Sequence, residues 1–200
     1  MFYYLDGTVA ILERNLAVMD VGGVGYGCAV SINTMSRLET GKKCRLYTYC
    51  NIKEDAFDIY GFYEQKEKRS FEMLLSVSGV GPKAAISILS VTTPEGLALA
   101  IMNNDAKVIT AAAGVGKRIA ERIILELKDK ISKETSDIVN SDFVPVIPVG
   151  GTSAKQSEAA AALAVLGFTP AEANAVMKHI DVENLSVEDI IKEALKRSLK

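Results

Sequence analysis

Ser76-Val77-Ser78-Gly79-Val80-Gly81-Pro82-Lys83-Ala84-Ala85-Ile86 returns, with its glycines displaced by 35 residues, as Ala111-Ala112-Ala113-Gly114-Val115-Gly116-Lys117-Arg118-Ile119-Ala120-Glu121. A phrase repeated at such an offset marks a duplicated supersecondary unit. Each copy reads as helix, tight turn, helix. Gly-Val-Gly permits positive φ at either glycine and lets another backbone approach with no Cβ in the way. Val80 and Val115, between the glycines, can point inward and pin each turn to a core. A helix start follows. Pro82 sits where its missing N–H costs little, and Lys117 and Arg118 take its place in the second copy. The start of a helix offers unpaired N–H groups and a partial positive charge, which favours an anion by about 0.3–1 kcal/mol. Lys83, Lys117 and Arg118 lie one or two residues past the glycines, placed to close on the same anion.

A single Gly-x-Gly is equally well a helix C-cap followed by a turn. Two copies at a fixed offset, each followed by basic residues, resemble tandem helix-hairpin-helix motifs, which bind the DNA backbone without reading bases. The expected backbone contacts are Gly79, Val80, Gly81, Lys83, Gly114, Val115, Gly116, Lys117, Arg118 and Arg122. Arg118 and Arg122 are four apart and share a face distinct from the apolar stripe Ile119, Ile123, Leu127 and Ile131. A Walker loop is excluded by spelling: Ala111 stands where its first glycine belongs, and Arg118 replaces the Ser or Thr after Gly116-Lys117.

The whole chain, 200 residues with a formal charge of −2, allows one large or two to three small domains and argues against indiscriminate coating of nucleic acid. Residues 1–63 carry a net −1, residues 64–131 a net +2 and residues 132–200 a net −3, so the only positive segment holds the repeated turns. Cys28, Cys44 and Cys50 form an odd set with no close pair, which suits a reducing compartment and small core or strand roles. No apolar run reaches the roughly 18 residues needed to span a bilayer. The N-terminus lacks a basic leader. A cytoplasmic protein with no membrane partner is expected.

Residues 1–63 read as five or six short, β-branched or aromatic strands: Thr8–Leu12, Leu16–Val21, Tyr26–Ile32, Cys44–Tyr49 and Ala56–Phe62. An OB-type barrel is the commonest solution for such a set. Gly22-Gly23-Val24-Gly25-Tyr26-Gly27 does not match Gly-x-Gly-x-x-Gly and lies between strands, so it reads as a turn with bulges. Asn51-Ile52-Lys53-Glu54-Asp55 joins the last two strands. Its adjacent carboxylates are either a solvated tip or a device that repels phosphate. Two like charges about 4 Å apart in water interact by near 1 kcal/mol, and more where solvent is excluded.

From Glu64 the period becomes helical: Gln65–Ser76, Pro82–Ser90, a helix from Pro94 capped by Thr93, one from Ala106 capped by Asp105, and Lys117–Ile131. Residues 132–154, with Pro145, Pro148 and Gly150-Gly151, read as a mobile linker. Three short helices follow. Ser157–Leu166 ends at Gly167, Thr169-Pro170-Ala171-Glu172 is a capping box with proline at N1, and Ser186 caps Val187–Arg197. The turn Leu166-Gly167-Phe168 resembles that of ubiquitin-associated-like domains, which implies a hydrophobic partner patch at Leu163, Leu166, Gly167 and Phe168. His179, the only histidine, reads as a helix-dipole partner in a last turn.

The expected class is therefore α+β and multidomain. It has an OB-type barrel at 1–63, a tandem helix-hairpin-helix domain at 64–131, the linker at 132–154 and a three-helix module at 155–200. This combination, with Val21-Gly22-Gly23-Val24-Gly25-Tyr26, Lys53-Glu54-Asp55-Ala56, Ile59-Tyr60-Gly61-Phe62, Gly79-Val80-Gly81-Pro82-Lys83, and Gly116-Lys117-Arg118 with Ala120-Glu121-Arg122, resembles the bacterial RuvA family across essentially the full chain. The resemblance implies a four-fold tetramer, or two face to face as an octamer, holding a four-way (Holliday) junction open and flat. Glu54 and Asp55 would form an acidic pin at the crossover. The C-terminal module would bind RuvB, the hexameric ATPase, and a RuvC-type resolvase is a further implied partner. The family often has a basic residue near position 4 and a proline before the second Gly-x-Gly, where Tyr4 and Ala113 stand here.

No catalytic residue, cofactor or metal is expected; ATP hydrolysis would belong to the partner. Two other classes are weighed against this. A structure-specific nuclease or glycosylase needs an acidic metal cluster or a catalytic Lys or Asp beside the hairpins, and two neighbouring carboxylates without a third make a poor Mg²⁺ site. A pure interaction scaffold has no use for basic hairpins.

Overall fold

The computed structural model describes residues 1–140 and 154–199. It divides into two compact units, Met1–Thr93 with Ala111–Val115, and Pro94–Thr110 with Gly116–Lys200.

In the first unit, five strands close into a barrel: β1 (Tyr4–Glu13), β2 (Leu16–Val21), β3 (Val24–Val30), β4 (Lys43–Ile52) and β5 (Phe57–Phe62). Their order around the barrel is β1-β2-β3-β5-β4, with every pair antiparallel except β3 with β5. This is the OB-type arrangement. Alternate side chains fill the interior, with Leu5, Val9, Ala17, Met19, Cys28, Val30 and Leu46 buried, as period-two patterning requires. The β2–β3 link is the two-residue turn Gly22-Gly23 between paired Val21 and Val24, with φ of 65° and 87°. Positive φ at both central residues defines the hairpin turn that matches strand twist. Gly23 N–H also bonds Asp20 Oδ1 at 2.8 Å. Burial pushes the Cys28 thiol up to about 12, as expected of a core residue.

A short helix α1 (Ile32–Met35), not evident in the sequence, follows β3, capped by the Ser31 side chain accepting from Thr34 N–H. α2 (Gln65–Leu75) and α3 (Pro82–Val91) complete the unit's helices. Phe71 on α2 is fully buried, with ring centroids 5.3, 5.2 and 4.9 Å from those of Tyr49, Tyr60 and Phe62. A second tie is polar: the buried Glu67 carboxylate accepts from the Ser31 hydroxyl and, at 2.5 Å, from that of Thr34. Barrel and α2 are thus joined by an aromatic cluster and a hydroxyl-carboxylate clasp.

The second unit contains α4 (Pro94–Met102), α5 (Ala106–Thr110), α6 (Lys117–Asn140), α7 (Ala154–Val165), α8 (Pro170–Met177) and α9 (Val187–Ser198). The Asp105 cap stands, its Oδ1 accepting from Lys107 N–H at 3.0 Å. So do the Thr169 capping box and the Ser186 cap. His179 lies beyond the end of α8 and not within its last turn. α6 continues to Asn140, where the linker was expected from residue 132. Residues 132–140 hold neither Gly nor Pro, Thr135 is buried one turn after Ile131, and Lys130 pairs with Glu134 at 3.7 Å. Nothing there stops a helix. The rest of the expected linker, 141–153, lies outside the described residues.

Within this unit, Met102 of α4, Ile131 and Thr135 of α6, Ala162 of α7 and Val187 and Ile191 of α9 line one cleft of about 240 Å³. Lys128 of α6 reaches Glu188 of α9 at 3.2 Å. Among the described residues no single helix is long and apolar enough to cross a membrane.

Candidate nucleic-acid interface

The two repeated turns have the same local geometry. In the first, Val80 N–H bonds Val77 O at 3.1 Å and Ala85 N–H bonds Gly81 O at 3.0 Å. In the second, Val115 N–H bonds Ala112 O at 3.1 Å and Ala120 N–H bonds Gly116 O at 3.0 Å. Gly79 and Gly114 have φ of 86° and 80°, the left-handed region where an L side chain is strained by roughly 1 kcal/mol. Val80 and Val115 are each 6 % exposed. They anchor the turns from inside, so their place at a backbone site is structural support. Gly79, Gly81, Lys83, Gly114, Gly116, Lys117, Arg118 and Arg122 are all exposed.

Gly81 and Gly116 differ in kind from Gly79 and Gly114. Gly81, the N-cap of α3, has φ −93° and ψ 171°, a conformation open to any residue. A Cβ built on Gly81 or Gly116 meets nothing within 4 Å. As an N-cap Gly81 is better than alanine but no better than Ser, Asp or Asn, so neither φ, nor space, nor capping singles out glycine at these positions. In each unit by itself, the first turn of the following helix carries N–H groups that have no partner further back in the helix.

Gly79–Lys83 and Gly114-Val115 belong to the first unit; Gly116, Lys117, Arg118 and Arg122 belong to the second. Within the first, the Ser87 hydroxyl on α3 donates to the Ala113 carbonyl at 3.0 Å. That bond steadies the second turn where the sequence has no proline. Lys117 and Arg122 carry loose i, i+4 contacts with Glu121 at 3.8 Å and Glu126 at 3.9 Å. Exposed pairs of this kind contribute at most about 0.5 kcal/mol, so a phosphate can displace them.

Glu54 and Asp55 stand exposed at the tip of the β4–β5 hairpin, which Lys53 N–H closes by bonding Ala56 O at 2.8 Å. Among the described residues no group of three or more His, Cys, Asp or Glu could hold a metal ion. At Tyr4, the Arg45 guanidinium lies 4.3 Å from the ring centroid, but it is already paired with Asp6 at 2.7 Å, so it does not replace the missing basic residue.

In the C-terminal helices, Gly167 has φ 100°, and Phe168 N–H bonds Leu163 O at 3.0 Å. This is a Schellman-type end in which an apolar contact accompanies the hydrogen bond. Leu163, Leu166 and Phe168 are buried. The hydrophobic patch expected on them is therefore not at the surface; they form the module's own core.

Family comparison gives three consecutive matches: the RuvA N terminal domain over residues 1–61, a SAM-like helix-hairpin-helix tandem over 71–129 and the RuvA C-terminal domain over 154–199. The chain belongs to the RuvA family. It is 44 % identical over 199 residues to the Holliday junction branch migration complex subunit RuvA of Acetivibrio thermocellus, covering 98 % of each chain. It is 42 % identical over 201 residues to that of Caldanaerobacter subterraneus subsp. tengcongensis, covering 100 % of each.

The two RuvA matches fall on the barrel and on α7–α9, and the helix-hairpin-helix match falls on the helices carrying the repeated turns. Sequence reading missed Ser87 and Arg45, whose contributions are contacts 26 and 39 residues away along the chain. Only the cross-strand pairing of Asp6 with Arg45 had a sequence-level signal, in the alternation of β1 and β4.

Proposed function

We propose that the protein binds four-way junction DNA in an open, planar form and positions a RuvB-type hexameric ATPase for branch migration. The observation that supports this most is the pair Gly81 and Gly116. Both occupy ordinary backbone conformations with empty space at the missing Cβ, so a ligand's close approach is the remaining reason for glycine. Phosphates of a duplex arm fit that space. The N–H groups of α3 and α6 and the side chains of Lys83, Lys117, Arg118 and Arg122 supply the donors. None of these contacts reads a base, as suits a site defined by DNA shape.

Glu54 and Asp55 act as a pin at the crossover, excluding phosphates from the centre by repulsion. The chain is a homotetramer or octamer in this reading, because four copies of a weak phosphate site act together on four arms. The protein is a non-catalytic subunit; its work is to hold and orient DNA while the partner hydrolyses ATP. The domain boundaries 1–63, 64–131 and 155–200 follow from the same reading. The last domain meets RuvB, with Leu163, Leu166 and Phe168 serving as its core and not as the contact. A RuvC-type resolvase shares the junction, and the setting is cytoplasmic.

The test is a gel shift comparing a four-way junction with linear duplex of equal length across a salt series. Preference for the junction, with affinity falling steeply in salt, is the expected result; equal affinity for both removes the assignment. Replacing Glu54 and Asp55 together by Asn separates this reading from a nuclease: binding is retained and branch-migration rate changes. A loss of junction cleavage in that variant would instead identify the carboxylates as catalytic.

A further inference from the structure

We propose that the aromatic cluster Phe2, Tyr26 and Phe57, at the foot of the acidic hairpin tip, is a stacking site for an unpaired nucleobase of the opened junction. The inference rests on the junction reading above and adds to it a contact with the bases themselves. Phe57 lies two residues before the buried Ile59 on β5, and Tyr26 two before the buried Cys28 on β3. Both rings therefore follow inward-facing rows of the barrel as those rows run out at its end. Phe2 lies against them, with centroids 5.6 Å from Tyr26 in an edge-on pair and 6.1 Å from Phe57.

The cluster is held in place. The Thr48 hydroxyl donates to Phe2 O at 2.8 Å and Thr48 N–H to Tyr3 O at 2.9 Å, which continues the β1–β4 pairing to the N-terminus. A plug meant only to close the barrel would be covered, yet Phe57 is 55 % and Phe2 39 % exposed, and the neighbouring Ile52 is 65 % exposed. Exposed apolar rings gathered side by side are the kind of surface that serves for binding.

The surrounding charge selects the occupant. Glu54, Asp55 and Asp58 are exposed within four residues of Phe57 along the same hairpin. Phosphates are repelled there, so the part of a DNA strand that can approach is the neutral face of a base, which an aromatic ring accepts whatever the base identity. Phe57 and Asp58 also line one groove of about 620 Å³ with Lys83 and Ser87 of α3. A strand held by its phosphate at Lys83 thus has the Phe57 ring within the same groove.

The protein has no tryptophan, so Phe57→Trp in the full chain places a single fluorophore at the site. The expected result is quenching of its emission by a four-way junction, none by linear duplex, and none by a junction with abasic sites at the crossover. Phe57→Leu keeps an apolar plug and removes the π-face. It should leave thermal stability and duplex binding unchanged and weaken junction binding about five- to tenfold. Anisotropy of a labelled junction is read in parallel. Junction binding without a change in indole emission, or equal quenching by the abasic junction, overturns the stacking site while the junction reading stands. Equal binding of junction and duplex overturns both. Indole emission that shifts with protein concentration before DNA is added assigns the patch to a second copy of the chain and also overturns the stacking site.

Discussion

The Ser87 hydroxyl donates a hydrogen bond to the Ala113 carbonyl oxygen at 3.0 Å, joining α3 of the first hairpin to the residue before the second pair of turn glycines. The repeated turns are thereby coupled by a side chain as well as by the chain's path. A net neutral hydrogen bond contributes about 0.5–1.5 kcal/mol, the lower end applying at an exposed site. Ser87→Ala should lower unfolding free energy by about 0.5 kcal/mol in denaturant titration. It should also weaken junction binding a few-fold with the salt slope unchanged, because no phosphate contact is removed.

Lys117 and Arg118 contribute differently. If each neutralises one phosphate, Lys117→Ala/Arg118→Ala should reduce the slope of log affinity against log salt by about 1.8, since each neutralised phosphate contributes about 0.9. Titrations at four or more salt concentrations measure this directly. An unchanged slope would place both side chains off the DNA. Thermal stability should barely move, because both residues are exposed.

The Glu67 clasp sets a pH dependence. Burial pushes the Glu67 carboxyl above its ordinary value of 4.5, with the Ser31 and Thr34 hydroxyls opposing part of that rise. The folded state then holds a proton that the unfolded chain has released, so this group's contribution to stability is fully present below 4.5 and is lost as pH rises through the raised folded value. Glu67→Gln cannot titrate. The stability difference between variant and wild type should shift in the variant's favour across that window and level off above it. A difference that is flat with pH would show that the clasp carries no titration.

Thr135 offers a test in the second unit. Among the described residues its buried Oγ1 has no hydrogen-bond partner, and a buried unsatisfied hydroxyl costs about 1–3 kcal/mol. Thr135→Val keeps the shape and removes the polar atom. It should raise the melting temperature of the full chain, with junction affinity unchanged.

Local chemistry was the legible part of this chain. Gly79, Gly114 and Gly167 were readable as turn glycines because positive φ leaves little choice of residue; of the run Gly22–Gly27, read as a turn with bulges, only Gly22-Gly23 is the turn, and Val24 onward pairs with β2 in unbroken register. Asp105, Thr169 and Ser186 were readable as caps because a cap bonds an N–H two or three residues away. The barrel followed from strand alternation, and the doubled turn from simple repetition. What escaped depends on contacts far apart in the chain. α1 is too short to show a period. Glu67 carries no signal of its own in the sequence, because the Ser31 and Thr34 hydroxyls that enclose it lie far away along the chain. The extension of α6 to Asn140 was hidden by Ser132, Thr135 and Ser136, whose weak helix preference is overridden where Thr135 packs beside Ile131. Leu163, Leu166 and Phe168 had the composition of a surface patch and the same composition as a core; only the fold distinguishes the two.

The central claim is that Gly81 and Gly116 are glycines for the sake of the DNA and not for the sake of the fold. Gly81→Ala/Gly116→Ala, assayed by thermal unfolding and by junction anisotropy on the same preparation, separates the two. The account predicts a nearly unchanged melting temperature, since the entropy that alanine removes from the unfolded chain offsets the poorer N-cap it makes at position 81, together with a loss of junction affinity of at least tenfold. Junction binding at wild-type strength in the stably folded double variant would contradict it.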